Sequence, residues 1–194
     1  MKAIASNILL IDNNDSFTYN IIDLLKKQQC GNLAVIRSGE LSIDQLKTYS
    51  HLIISPGPGL PTDFPVLKEV IGYAVHKGVP LLGICLGHQA ICQYFGGELI
   101  QLKEVIHGRQ STTSVYQSGR LHEDLPESAV VGRYHSWAID KSTLPDEIQV
   151  TGVASDRCLM SVQHRYLPVF GVQYHPESFL TSHGRAIMKN FTGL

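Results

Sequence analysis

Val79-Pro80-Leu81-Leu82-Gly83-Ile84-Cys85-Leu86-Gly87-His88-Gln89 passes from an apolar run, through a cysteine between two glycines, into a helix-forming stretch. A short apolar run bounded by turn residues marks a fully buried strand. The Gly-x-Cys-x-Gly spacing then predicts a nucleophile elbow: the strand ends, the chain turns sharply and a helix begins, with glycines where a side chain would collide. That geometry holds the sulfur out at the head of the helix. There the first backbone N–H groups and the positive end of the helix dipole favour thiolate over thiol. Read alone, Cys85 is equally a small buried hydrophobe, as most free cysteines are. His175, Pro176 and Glu177, ninety residues downstream, move that balance. In an extended segment His175 and Glu177 project to the same side, where the carboxylate can orient the imidazole. Cys85, His175 and Glu177 are therefore the catalytic candidates, as nucleophile, base and orienter.

Outward from the elbow, Ile8 to Ile11, Leu33 to Ile36, Leu52 to Ile54 and Val79 to Ile84 read as buried parallel strands. Helices fall between them. Phe17, Ile21, Leu24 and Leu25 repeat at helical spacing after a capping residue at Asp15 or Ser16. Val66, Val70, Ile71, Ala74 and Val75 do so after Pro65. Gly31 and Gly78 are the expected stops. The elbow helix, Leu86 to Phe95, closes at Gly96-Gly97. From about Glu98 the texture turns to β: Ser111 to Tyr116 before a Ser118-Gly119 turn, Ala129 to Tyr134, Val150 to Ala154, Leu159 to Gln163 and Val169 to Tyr174. These predict an antiparallel layer that returns to the core sheet, followed by a last helix from about Ser182 to Phe191. The expected architecture is a flavodoxin-like α/β sandwich of three layers, with a mostly parallel central sheet and an added antiparallel β layer, in one domain over 1–194.

The 194 residues are 43% hydrophobic and 17% charged, with a formal net charge of -1. Such a balance gives no electrostatic case for nucleic acid or an anionic membrane. No apolar run approaches the ~20 residues a bilayer span needs, and Met1 to Asn7 is too short for a signal peptide. Cys30, Cys85, Cys92 and Cys158 are scattered without C-x-x-C pairs, so neither zinc nor a disulfide framework is expected, and a reducing cytoplasm fits. No metal or cofactor is implied.

In an open α/β sheet the site lies where loops leave the carboxyl ends of the strands. The loops after Ile11 and Ile54 should then meet the elbow. The second, Ser55-Pro56-Gly57-Pro58-Gly59, is either an ordinary tight turn or a backbone surface for a ligand. On the second reading the backbone N–H groups of Gly59 and Leu86 form an oxyanion hole beside Cys85.

Pro56-Gly57-Pro58-Gly59, Gly83-Ile84-Cys85-Leu86-Gly87-His88-Gln89 and Gln173-Tyr174-His175-Pro176-Glu177-Ser178 together resemble the class I, or triad, glutamine amidotransferases. Asp12 to Asn20, His107-Gly108 and Arg133-Tyr134-His135-Ser136 narrow the likeness to the small subunits of anthranilate and aminodeoxychorismate synthases. Asn14, Arg109 and Trp137 depart from the residues common in that group.

The resemblance implies that Cys85 is the nucleophile, His175 the base and acid, Glu177 the orienter, and Gly57, Pro58 and Gly59 the oxyanion strand. Gln89 and the backbone at Ser136 and Trp137 would hold the amino acid end of L-glutamine. Gln89 lies one helical turn after Cys85 on the same face, although a capping or surface amide explains it too. Ser136-Trp137 could also be a strand end with a core tryptophan. The implied activity is hydrolysis of glutamine and delivery of ammonia to a separate chorismate-binding large subunit that makes anthranilate for tryptophan synthesis, with aminodeoxychorismate for folate synthesis, or a subunit shared by both, as the alternative. Rival readings are another triad amidotransferase or γ-glutamyl hydrolase, and a non-catalytic glutamine-binding subunit.

Overall fold

The computed structural model describes residues 6–116 and 119–194; the expected Ser118-Gly119 turn lies partly outside them. β1 (Asn7–Asp12), β2 (Asn32–Arg37), β3 (His51–Ile54) and β4 (Leu81–Ile84) are parallel. The last strand, β9 (Val169–Val172), joins them beside β4 with Leu81 opposite Val169. Between β4 and β9 the chain makes β5 (Leu99–Val115), β6 (Ser128–Ile139), β7 (Ile148–Ala154) and β8 (Leu159–His164). The spatial order is β2-β1-β3-β4-β9-β8-β7-β5-β6, so the antiparallel strands return to the core as expected and continue the same hydrogen-bonded sheet.

Alternation along β1 explains the layers. Ile8 and Leu10 face one way, against Ile21 and Leu25 of α1 (Thr18–Lys27) and Ile187, Met188 and Phe191 of α4 (Gly184–Thr192). Leu9 and Ile11 face the other, against Leu67, Val70, Ile71 and Ala74 of α2 (Val66–Lys77) and Leu86, Ala90 and Ile91 of α3 (Leu86–Tyr94). A strand covered on both faces must be apolar at consecutive positions, as the runs in β1, β3 and β4 are.

The expected cap at Asp15 or Ser16 does not form: Phe17 is the N-cap of α1 and no side chain caps it, while the Asp15 carboxylate accepts from the Phe17 N–H at 2.7 Å in the turn before the helix. α2 ends at Gly78, in the left-handed conformation at φ +65°, as its sequence predicts. α1 ends earlier than expected, at Lys27: Gln29 takes a positive φ (+54°), and Gly31, also at positive φ (+109°), lies just before β2. Asn14 also stands at positive φ (+61°), a conformation asparagine tolerates better than an aromatic residue would. Its N–H donates to the Asp12 carboxylate.

β5 begins at Leu99, well before the expected Ser111. It pairs with β6 from Leu99 opposite Ile139 to Ser114 opposite Ser128, with register shifts between Gln101 and Ile106 and between His107 and Arg109. β6 likewise runs past Tyr134 and carries His135, Ser136 and Trp137 within the strand. No helix among the described residues is long and apolar enough to cross a membrane.

Candidate active site

The turn from β4 into α3 is forced by close approach. A Cβ on Gly83 would lie 2.3 Å from the Gly87 carbonyl, and one on Gly87 would lie 2.6 Å from the Ile54 carbonyl oxygen. Only glycines let strand, elbow and helix pack this tightly. Cys85, between them, stands at φ +51° and ψ −100°, outside the regions that L-residues favour. Its N–H donates to the Val172 carbonyl of β9 at 2.8 Å, and its carbonyl accepts the Gln89 N–H at 3.0 Å. The strain is thus held by the strand on one side and the first helical turn on the other.

His175 arrives just beyond β9, whose pairing with β4 sets the two segments side by side. Its N–H donates to Gly132 and its carbonyl accepts from Thr181 Oγ1 at 2.6 Å, fixing the backbone. Nδ1 lies 2.7 Å from Glu177 Oε1, with the His175 side chain 2% exposed and that of Glu177 fully buried. Burial by itself would lower the imidazole pKa. The Glu177 carboxylate, followed by Cys85, outweighs it and raises the pKa well above the usual histidine range. Nε2 is buried without a hydrogen-bond partner among the described residues, so it is available to the sulfur. Phe17 and Tyr134 press their rings on the imidazole at centroid distances of 4.8 and 4.9 Å, which limits its rotation.

Gly57, Pro58, Gly59, Leu86, Gln89, Ser136 and Trp137 all line one cleft with Cys85. Its volume is about 190 Å³; Tyr134 and His135 complete the wall. Grooves of about 440, 560 and 420 Å³ elsewhere are larger, but none of them is lined by Cys85; the last is lined by Glu177. Gly59 stands at φ +71°. Behind its loop, the Ser55 hydroxyl accepts from the Asn13 N–H and the Asn13 carboxamide donates to the Ser55 carbonyl, tying the loops after β1 and β3 together.

Two residues without an assigned role in the sequence have clear places. His88 is fully buried, and burial lowers its pKa to about 3, so it is a neutral packing group. A Cβ on Gly171 would meet its Nδ1 at 2.6 Å, so glycine in β9 makes room for it. His135 is also kept neutral, its pKa lowered to about 4 chiefly by burial, and its Nδ1 lies 2.8 Å from the Trp137 carbonyl. Gln173 has no individual role in the sequence pattern. Its Nε2 lies 3.5 Å from Cys85 Sγ, at the end of a strand whose other residues are apolar or glycine. A polar residue with 0% exposure inside such a run is the signal that could have found it.

The model of the family "Glutamine amidotransferase class-I" matches residues 9–193. An "Anthranilate synthase component 2" from Methanothermobacter marburgensis is 40% identical, over 95% of this chain and 96% of that protein. An "Aminodeoxychorismate/anthranilate synthase component 2" from Bacillus subtilis is 38% identical, over 95% and 94%. A solved Thermoplasma acidophilum structure assigned to GMP synthase superposes with a TM-score of 0.87 at 25% identity, covering 98% of this chain and 94% of that one. With the elbow, the buried imidazole–carboxylate pair and the glycine loop in one place, the chain belongs to the class-I glutamine amidotransferases.

Proposed function

We propose that the chain is the glutamine-hydrolysing subunit of a chorismate-using synthase, with Cys85 as nucleophile, His175 as base and acid, and Glu177 as orienter. The observation that carries this reading is the cleft itself, where the strained Cys85 faces Gly57 to Gly59 and the residues expected to hold an amino acid. The sulfur attacks the side-chain carboxamide carbon of L-glutamine. The tetrahedral oxyanion forms against the backbone N–H groups of Gly59 and Leu86, the latter among the unpaired donors of the first helical turn. His175 gives its proton to the leaving nitrogen, ammonia departs and a thioester remains. Water, deprotonated by His175, then hydrolyses the thioester to glutamate and restores the thiol. Gln89 and the backbone of Ser136 and Trp137 hold the amino acid end of glutamine.

Free ammonia is mostly ammonium near neutral pH and is then no nucleophile, so it passes directly to a synthase large subunit docked on this chain. The names of the relatives favour anthranilate synthesis, and the Bacillus subtilis protein, named for both products, favours one subunit shared by two synthases. The four thiols, all free, fit a reducing cytoplasm.

The test combines the purified chain with each chorismate-using large subunit, chorismate and glutamine, and identifies the amine. Anthranilate alone places the chain in tryptophan synthesis, aminodeoxychorismate alone in folate synthesis, and both products mark a shared subunit. Neither product, with ammonium still usable by the large subunits, overturns the reading.

A further inference from the structure

We infer that Gln173 is a hydrogen-bond donor to the Cys85 sulfur whose orientation is dictated by a chain of hydrogen bonds that starts at the surface on Asp156. The inference rests on the proposed role of Cys85 and adds to it a second group, besides His175, that stabilises the sulfur as it becomes negative.

The chain can be read by what each atom is able to do. Asp156 accepts from Arg133 Nη1 at 2.7 Å, and Arg133, 1% exposed, also donates through Nη1 to Ser111 Oγ. Arg133 Nε lies 3.1 Å from His135 Nε2. A guanidinium only donates, so His135 Nε2 must accept and its proton must sit on Nδ1. That N–H points at the Trp137 carbonyl 2.8 Å away. The same carbonyl is 3.0 Å from Gln89 Nε2. A carbonyl only accepts, so Gln89 presents its NH₂ there, and the same NH₂ is 3.1 Å from the Gln173 carboxamide. Gln173 must therefore offer Oε1 to Gln89, which leaves its own NH₂ facing Cys85 Sγ at 3.5 Å. A flipped Gln173 would set two NH₂ groups against each other and aim a carbonyl dipole at the sulfur. One backbone carbonyl thus fixes the polarity of two side-chain amides.

Gln173, Gln89 and His135 are all buried, so the groups have no water to turn toward, and their dipoles act in a low-dielectric interior. An N–H aimed at a forming thiolate is a charge-assisted bond, stronger than one to a neutral thiol, so it favours the ionised sulfur. The titratable groups around Cys85 are His175 and, behind it, Glu177; His88 and His135 are held neutral by burial. None of these is altered by a substitution at position 173.

The experiment follows alkylation of Cys85 by iodoacetamide against pH in the full chain, reading the Cys85 peptide by mass spectrometry to separate it from the other three cysteines. This small reagent needs no glutamine-binding contacts, so it reports on the sulfur. Gln173→Leu is expected to slow alkylation at pH 7 by roughly 10-fold, the worth of a hydrogen bond to a charged group. The rates should converge with wild type at alkaline pH, where the thiol is ionised in both. Gln173→Glu keeps the acceptor for Gln89 and sets a carboxylate against the sulfur, so it should slow the reaction further, and it decides the matter where the leucine variant fails to fold. Rates within about 2-fold of wild type across the pH range, in whichever variants fold, overturn the inference. A glutamine-analogue electrophile tested on wild type separates the two claims. Selective labelling of Cys85 with no sensitivity to residue 173 sinks only the role of Gln173. No labelling of Cys85 sinks the nucleophile, and this role with it.

Discussion

The parallel and antiparallel halves of the sheet contribute to the site in different ways. β1, β3, β4 and β9 are short and apolar, covered on both faces, and they deliver side chains: Cys85 after β4 and His175 and Glu177 after β9, with the Gly57 to Gly59 loop after β3. β5 and β6 are long, and much of β5 is exposed. β6 delivers mainly backbone to the cleft, with the Trp137 carbonyl fixed by His135 and Gln89. Reactive groups need fixed angles, which tight packing between covered strands supplies, whereas an amino acid can be held by the peptide groups of a strand.

The sharpest test of this division is Cys85→Ser, which should abolish glutamine-dependent turnover, by ~10³-fold or more, while a large subunit still uses added ammonium. Glutamine-dependent activity that survives the change would remove the parallel half from the chemistry.

Glu177→Gln should lower kcat by less than Cys85→Ser does, by ~10⁴-fold at most, since the carboxylate orients and does not react. It carries a pH signature as well. The raised pKa of His175 means that the folded protein holds this proton more tightly than the unfolded chain does. That stability is fully present below the ordinary imidazole value of about 6.5 and is lost as pH rises through the folded value. Urea unfolding from pH 6 upward should show this decline in wild type and a weaker one in Glu177→Gln; equal slopes would contradict the coupling.

Glycines offer a third comparison. Gly83→Ala, which drives a methyl into the Gly87 backbone, should destabilise by about 3 kcal/mol, at the top of the overpacking range. Gly108→Ala in β5 meets only a Tyr134 ring carbon at 3.7 Å and should cost about 1 kcal/mol for its positive φ. Chemical denaturation of both variants checks the difference, and equal losses would mean that the two halves are packed alike.

The smallest expected effect is Ser136→Ala, with KM for glutamine within about 3-fold of wild type if the backbone does the holding. A loss of 10-fold or more would transfer that role to the hydroxyl.

The same division governs what could be read from sequence. β1, β3 and β4 stand out because strands buried on both faces must be apolar throughout, and the elbow because its glycines are sterically compelled. Leu99 to Gln110 does not read as strand because none of its residues is buried, which leaves no period-2 signal. Its pairing with β6 sets its conformation from outside. Gln29 takes a left-handed turn two residues before Gly31, which is itself at positive φ, and no pattern marks a glutamine for it. His175 and Glu177 are legible because their spacing in an extended segment aligns them. Gln173 is not, since its partners at 85, 89 and 160 come from the elbow helix and from β8, both distant in sequence.

β9 is the last strand made and among the most central. It lies between β4 and β8, and Val169 meets Leu81 across most of the antiparallel half of the chain. Pairings so distant in sequence form late, because a long loop must close before they bring any gain. During synthesis Cys85 emerges well before His175, and the sheet has no finished interior until β9 is inserted. A product that stops between these two residues carries the Cys85 thiol without the His175 imidazole. With the proposed roles of Cys85 and His175, a chain interrupted before β9 should release no ammonia from glutamine.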